Sequence, residues 1–131
     1  MEEHISKKKY IVNPLNEFIK YVKKKIKEKS LKLRDVFYLA DIPINYGYKL
    51  LSGEKRTKQR DIIIRICYVS NFNVSETNKA LKFYEMPVLY NQFLRDSKII
   101  FAFRKRMKGI ESLNEYLEKN KLEPLKSCGE S

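Results

Sequence analysis

The chain has 131 residues, of which 43% are hydrophobic, and it carries a formal net charge of +12 at pH 7. That hydrophobic content is typical of a folded chain and excludes a wholly disordered one, and the length suits a single domain. No run of about 18 uncharged apolar residues is present, and the amino terminus has no apolar signal segment. The sequence therefore predicts a cytoplasmic protein that makes no contact with a membrane.

The positive charge is concentrated in the first half of the chain. Residues 1–60 hold 16 Lys and Arg against 7 acidic residues, whereas residues 61–131 hold 12 against 9. Such an excess favours an anionic partner. Its position predicts that the first half of the chain meets that partner.

The amino-terminal segment predicts a flexible arm followed by a helix. Residues 1–13 are expected to form the arm, whose main feature is the basic run Lys7–Lys9. The first helix is expected to begin at Pro14, because proline tolerates the first helical position and Asn13 can cap the first turn. Apolar residues then recur at helical spacing, which predicts the buried face of this helix: Leu15, Phe18, Ile19, Val22 and Ile26.

The next segment predicts two short helices joined by a tight turn. Apolar residues fall at helical spacing on both sides of Asp41-Ile42-Pro43, and proline disfavours helical backbone in the residue before it. Gly53 is expected to end the second of these helices, since glycine adopts left-handed backbone at helix ends. Two helices arranged in this way, followed by basic residues, can place the second helix in the major groove of DNA.

This segment resembles the helix-turn-helix of the Cro/lambda-repressor-like (XRE) regulators over roughly residues 14–72. The hydrophobic residue after the turn falls at Ile42, an aromatic residue of the second helix at Tyr46, and a core position at Leu50. The exit of glycine followed by basic residues appears as Gly53-Glu54-Lys55. The resemblance implies a lambda-repressor-like helical bundle and a DNA-binding transcriptional regulator of bacterial or phage type.

Three positions depart from the pattern of that family. Asp41 stands where the turn usually has glycine, Phe37 stands where the first motif helix usually has a small residue, and Gly47 stands where the second usually has Ile or Val. Asp tolerates left-handed backbone. Phe37 and Gly47 are interpreted together as a compensated pair that conserves volume where the helices cross. The alternative is that Gly47 only weakens its helix.

The exposed start of the second motif helix supplies the residues expected to reach base edges: Ile44, Asn45, Tyr48 and Lys49. Asn can bind adenine through two hydrogen bonds, Lys can reach guanine, and Ile can contact a thymine methyl group. For Ile44 and Tyr48, packing against the protein or a partner is the alternative. The basic residues that follow are expected to contact DNA phosphates: Lys55, Arg56, Lys58 and Arg60.

The second half contains an approximate repeat of a helical hairpin. Arg60-Asp61 aligns with Arg95-Asp96, Asn78 with Asn114, and Pro87 with Pro124. Each copy is predicted to be two antiparallel helices that bury a face of the other copy, so that residues 73–125 extend the helix-turn-helix region within one domain. Chance similarity between two amphipathic hairpins is the alternative. Residues 126–131 are expected to be a disordered tail.

No pattern predicts catalysis, a cofactor or a metal. The only histidine is His4 in the arm, the glycines are scattered, and Cys67 is expected in the core with Cys128 as an exposed thiol. The protein is therefore expected not to be an enzyme.

Two functions remain open from the sequence. The first is a sequence-specific regulator that binds double-stranded DNA, and the second is a helical adaptor that keeps this fold and binds an acidic protein. In either case the apolar run Ile99–Phe103 exceeds what one hairpin should cover. A homodimer or partner surface is therefore expected in the second copy, at Phe103 and Tyr116.

Overall fold

The computed structural model describes residues 13–128 of the chain. This part contains seven α-helices and no strand. The all-α prediction is confirmed. None of these helices is long and apolar enough to cross a membrane. Apart from Asn13, the predicted arm lies outside the described residues. The helices are α1 (Pro14–Glu28), α2 (Leu33–Ala40), α3 (Ile44–Ser52), α4 (Arg60–Val69), α5 (Val74–Phe83), α6 (Leu94–Lys105) and α7 (Gly109–Lys119).

The start of α1 is confirmed in detail. The Leu15 backbone N–H donates to Oδ1 of Asn13 at 3.0 Å, and Pro14 occupies the first helical position. An amide of the first turn that has no partner within the helix is thereby satisfied. Three residues of the predicted apolar face are buried: Phe18, Val22 and Ile26.

Four helix connections share one backbone geometry. Each contains a residue with left-handed backbone, then a hydrophobic residue whose N–H bonds to a carbonyl five residues earlier, then an N-cap residue. Asp41 takes the left-handed position between α2 and α3, with φ of 59°. The turn of the predicted helix-turn-helix is therefore not unique in this chain. The four left-handed residues are Ser30, Asp41, Asn71 and Arg106.

Helix α4 is the centre of the molecule. Eight consecutive residues, Asp61–Tyr68, are buried, and α4 packs against α2, α5 and α7. It therefore supplies the core of both the helix-turn-helix region and the hairpin extension. Helix α1 packs on α5 and α3, and α7 packs on α2.

The two hairpins, α4–α5 and α6–α7, are joined by reciprocal ion pairs. Arg60 of the first copy donates to both carboxylate oxygens of Asp96 at 3.0 and 2.8 Å. Arg95 of the second copy donates to both oxygens of Asp61 at 3.3 and 2.9 Å. Because equivalent residues exchange roles, the two copies are related by an approximate two-fold rotation. This geometry supports duplication over chance similarity.

The closing loops of the hairpins repeat the same hydrogen bonds. Oδ1 of Asn78 accepts from Leu89 N–H at 2.8 Å, and Oδ1 of Asn114 accepts from Leu125 N–H at 2.7 Å. These bonds align Leu89 with Leu125. The predicted alignment of Pro87 with Pro124 is therefore wrong by one residue.

The predicted disordered tail is wrong at its first three residues. Lys126 N–H donates to Asp61 at 2.9 Å, and the Lys126 carbonyl accepts from Nε of Arg65 at 2.7 Å. Cys128 is partly buried against the core rather than exposed, and burial raises the pKa of its thiol. Residues 129–131 lie outside the described part of the chain.

Candidate nucleic-acid interface

One face of α3 is turned outward. Asn45, Tyr48 and Ser52 are exposed, whereas Gly47 and the two leucines near the end of the helix are buried. Three of the four residues predicted to read bases, Asn45, Tyr48 and Lys49, line one cleft of about 340 Å³. The outward face thus presents an amide, a phenol and an ammonium group together.

Neighbouring helices extend this cleft. Lys23 of α1 and Leu33 of α2 line it together with Glu54, the carboxylate among its lining residues. Only the packing of α1 beside α3 identifies Lys23 as a neighbour of the outward face of α3.

Ile44 lies apart from the other predicted base-reading residues. It is partly buried and lines a different, larger groove, together with Tyr38, Leu39 and the glutamates of α7. A hydrophobic residue in that position suits packing, the alternative that the sequence left open for Ile44.

The compensated pair at the α2–α3 crossing is confirmed. A Cβ placed on Gly47 would lie 2.5 Å from Cδ1 and 2.6 Å from Cδ2 of the Phe37 ring. The ring therefore occupies the volume that any larger residue at position 47 would need. Tyr48 packs edge-on against the same ring at 5.1 Å between centroids, yet stays 44% exposed. Phe37 thus fixes α3 and also supports one of the outward side chains.

The basic loop after α3 is anchored by Tyr84 of α5. The Tyr84 hydroxyl accepts from Thr57 N–H at 2.9 Å, and the Arg56 guanidinium lies over the Tyr84 ring at 5.0 Å. Burial raises the pKa of Tyr84, with smaller opposing contributions from the Thr57 N–H and Arg56. The phenol therefore stays protonated at neutral pH. Lys55 and Lys58 remain exposed on either side of this anchor.

The prediction that Arg60 contacts phosphate is wrong. Besides its two bonds to Asp96, Arg60 donates to the carbonyl oxygens of Pro87 at 2.9 Å and Val88 at 3.0 Å. These bonds occupy four of the five N–H groups of the guanidinium. Arg60 therefore holds the two hairpins together and has little capacity left for DNA.

The lysines of the first half fall into two groups. Within the described part of the chain, no carboxylate lies within ion-pairing distance of Lys23, Lys49, Lys55 or Lys58. Other lysines of α1 and its end pair with nearby glutamates: Lys20, Lys24, Lys25 and Lys29. Lys27 and Lys32 are unpaired in that range as well, but Lys23 and Lys49 lie beside the outward face of α3, and Lys55 and Lys58 lie on the loop that follows it.

The predicted partner surface is wrong at Phe103. Phe103 is only 2% exposed and packs edge-on against Tyr68, its equivalent in the other copy, at 4.8 Å. The approximate two-fold axis passes between these two rings, so each copy covers the other. Tyr116 is partly buried and stacks on Phe101 at 5.7 Å, which leaves Phe101 as the exposed member of the apolar run.

Comparison with known proteins adds no relative. No family model matches the chain, and no match was found among curated proteins or solved structures.

Proposed function

We propose that this protein is a sequence-specific regulator that binds double-stranded DNA, with α3 in the major groove. The observation that carries the proposal is the outward face of α3, where Asn45, Tyr48 and Lys49 meet in one cleft beside Lys23. Helices presented in this way read base edges in the major groove. A cytoplasmic location belongs to the same proposal.

Each residue of the face has a role that its chemistry supports. Asn45 offers an amide that can bind adenine through two hydrogen bonds, and Lys49 offers a donor for guanine. Tyr48 offers a hydroxyl for a phosphate oxygen. These three side chains would determine sequence preference and register.

The surrounding cations would supply affinity without sequence choice. Lys23, Lys55 and Lys58 have no ion-pair partner among residues 13–128, so binding DNA would not require an existing ion pair to break. Arg56 is held in place by Tyr84. Contacts of this kind position a protein on the duplex and make its affinity depend on salt.

The outward face of α3 is rigidly supported by its neighbours, which favours recognition of DNA. Phe37 fills the space at Gly47 and fixes the crossing of α2 and α3, while the bond from Thr57 to Tyr84 fixes the basic loop. A surface ordered before binding loses less conformational entropy when it binds. Dimer formation remains part of the proposal, with Phe101 and Tyr116 as its surface in place of Phe103.

Charge reversal tests the interface. Lys55→Glu with Lys58→Glu should weaken binding to all duplex sequences alike, because these residues would contact phosphates. If about five phosphates are neutralised, log affinity of the wild type should fall with log salt at a slope near −4.5, and the slope of the variant should be shallower. Fluorescence anisotropy with labelled duplex DNA measures both.

A matched control comes from the far end of α7. Lys119→Glu with Lys121→Glu changes the same number of exposed charges at a distance from α3 in sequence. This control should lose much less affinity than the loop variant. Equal losses of DNA affinity in the two variants would show that the basic loop is not part of the interface. Tight binding to an acidic protein without any DNA sequence preference would favour the adaptor alternative.

A further inference from the structure

A second groove lies between the α2–α3 turn and α7, with a volume of about 970 Å³. One wall is apolar and carries Tyr38 and Leu39, which are 77% and 53% exposed. The other wall carries Glu111, Glu115 and Glu118 of α7. The groove therefore combines exposed hydrophobic side chains with a row of carboxylates.

The acidic wall is unusual for a chain of charge +12. No Lys or Arg in the described range lies within ion-pairing distance of Glu111, Glu115 or Glu118. Lys108 lines one end of the groove without forming such a pair. DNA phosphates would be repelled from this wall, so the groove is separate from the proposed DNA interface in chemistry as well as in position.

The duplication shows that the fold does not require these acids. Asn78 and Asn114 make the same bond and set the alignment of α5 with α7. In that alignment, Ser75, Lys79 and Lys82 of α5 occupy the positions of Glu111, Glu115 and Glu118. The negative wall is thus a property of α7 alone, on the side where it faces Tyr38 and Leu39.

The floor of the groove is fixed by Arg65. Its guanidinium donates to the carbonyl oxygens of Ala40 at 2.9 Å, Leu125 at 2.8 Å and Lys126 at 2.7 Å. These bonds join the end of α2 to the segment after α7, and therefore join the two walls. The groove is consequently part of the packed structure and needs little rearrangement to bind a ligand.

The geometry points to a docking groove for a basic, apolar segment of a partner protein. Tyr38, Leu39 and Ile44 would contact its hydrophobic side chains, and the three glutamates would pair with its Lys or Arg side chains. Charge complementarity selects this occupant, since an acidic segment would be repelled and a purely apolar one would leave the carboxylates unpaired. The inference does not depend on the proposed DNA binding.

Synthetic peptides test the groove on the full-length chain. One set combines Lys or Arg with Leu or Phe at permuted spacings, a second replaces the basic residues by Gln, and a third replaces them by Glu. Saturable binding is expected for members of the basic set only, measured by fluorescence anisotropy. Glu111→Gln with Glu115→Gln and Glu118→Gln should weaken it roughly tenfold or more, because three attractive charges are lost.

Two matched variants make the result specific. Glu28→Gln with Asp35→Asn and Glu85→Gln removes three exposed acids that do not line the groove and should leave peptide affinity unchanged. Tyr38→Asn with Leu39→Asn should weaken it several-fold, because the apolar wall is lost. Duplex DNA binding by both groove variants should be retained, which separates this proposal from the previous one.

Four outcomes would overturn the inference. They are the absence of saturable binding by any basic peptide, equal losses in the two acid-removal variants, and unchanged affinity in the Tyr38 and Leu39 variant. The fourth is self-association of the unliganded chain that the Glu111, Glu115 and Glu118 variant abolishes. That result would assign the groove to a second copy of this chain.

Discussion

The two copies of the duplicated hairpin share a buried framework but carry opposite charges on their second helices, α5 and α7. Arg60 and Arg95 make equivalent ion pairs, and Asn78 and Asn114 make equivalent loop bonds. Lys79 and Lys82 of α5, by contrast, correspond to Glu115 and Glu118 of α7. The shared residues maintain the fold, and the exposed charges that differ between α5 and α7 are available for function.

The comparison extends to the α2–α3 hairpin, which has the same connection. Four residues before the left-handed position stand Phe37 in α2, Cys67 in α4 and Ala102 in α6. The first hairpin alone combines a ring with a glycine at this crossing. Its helices are therefore held by a ring packed against a glycine, a combination that the other two hairpins lack.

The largest expected effect comes from breaking that pair. Phe37→Ala should lower the free energy of unfolding by about 3–5 kcal/mol, because it leaves a cavity. Gly47→Val in the original background should cost about 1–3 kcal/mol by overpacking. The double variant should be clearly less destabilised than the sum, and denaturant melts of the four proteins measure this. Additive effects would mean that the two positions do not interact.

The reciprocal ion pairs should contribute equally in the two copies. Arg60→Ala and Arg95→Ala should each lower the free energy of unfolding by about 3 kcal/mol, since each leaves a nearly buried aspartate without its partner. The aspartate side chains are 7% and 8% exposed, so the two losses should agree within about 1 kcal/mol. A large cost in one copy and a negligible cost in the other would break the equivalence.

The N-caps of α5 and α7 are expected to differ by a smaller amount in their contribution to stability. Asn73 and Glu76 form a capping box at α5, with bonds of 2.7 and 2.9 Å, whereas Lys108 at α7 makes no side-chain cap bond. Asn73→Ala should cost about 1 kcal/mol because it loses a cap bond, whereas Lys108→Ala should change the free energy of unfolding by about 0.5 kcal/mol or less. Thermal unfolding measures both changes. Equal losses in the two variants would mean that the capping box does not stabilise α5.

The same capping box predicts a dependence on pH. Burial raises the pKa of Glu76, but the Asn73 N–H and the ammonium groups of Lys25 and Lys29 outweigh that effect and lower the pKa below the usual value for a glutamate. A carboxylate with a lowered pKa stabilises the folded state above its unfolded pKa, and this contribution is lost as pH falls through the folded pKa. The stability advantage of the wild type over Glu76→Gln should therefore be present at neutral pH and disappear in acid. An advantage that persists at the lowest pH would contradict the role of the carboxylate.

The smallest effect is expected where the copies differ most. Lys79→Glu with Lys82→Glu, and Glu115→Lys with Glu118→Lys, should each change the free energy of unfolding by about 0.5 kcal/mol or less, because exposed charges contribute little to stability. A large loss of unfolding free energy in either variant, measured by denaturant unfolding, would mean that the exposed charges of α5 and α7 maintain the fold.

Local signals in the sequence were sufficient for much of this architecture. Asn13 and Pro14 mark the start of α1, Asn73 and Glu76 mark the start of α5, and the Phe37–Gly47 pair follows from volume at a predicted crossing. Each of these features involves residues that are close in the chain or on adjacent helices. Helical periodicity and capping rules therefore apply to them directly.

Apart from the one-residue error in the repeat alignment, the errors involve contacts between distant residues. Periodicity predicts that the helix of Phe103 has an apolar face, but it does not indicate which neighbour covers that face. The local pattern around Arg60 predicts a phosphate contact, whereas the structure pairs Arg60 with Asp96, 36 residues later in the chain. The order of residues 126–128 likewise depends on Asp61 and Arg65 of α4. The repeated Arg-Asp pairs are a sequence signal for the contacts between the two copies. They predict the Arg60–Asp96 pair only if the copies are assumed to be related by a two-fold rotation.

The most direct test of DNA reading by α3 is selection from a random-sequence duplex library with the purified chain and with its Asn45→Ala variant. The account predicts that the wild type enriches a defined motif containing an adenine. The variant should still bind but lose preference at that base pair, at a cost of about 1–3 kcal/mol on the selected site. Failure of the wild type to enrich any motif, or enrichment of the same motif by both proteins, would contradict it.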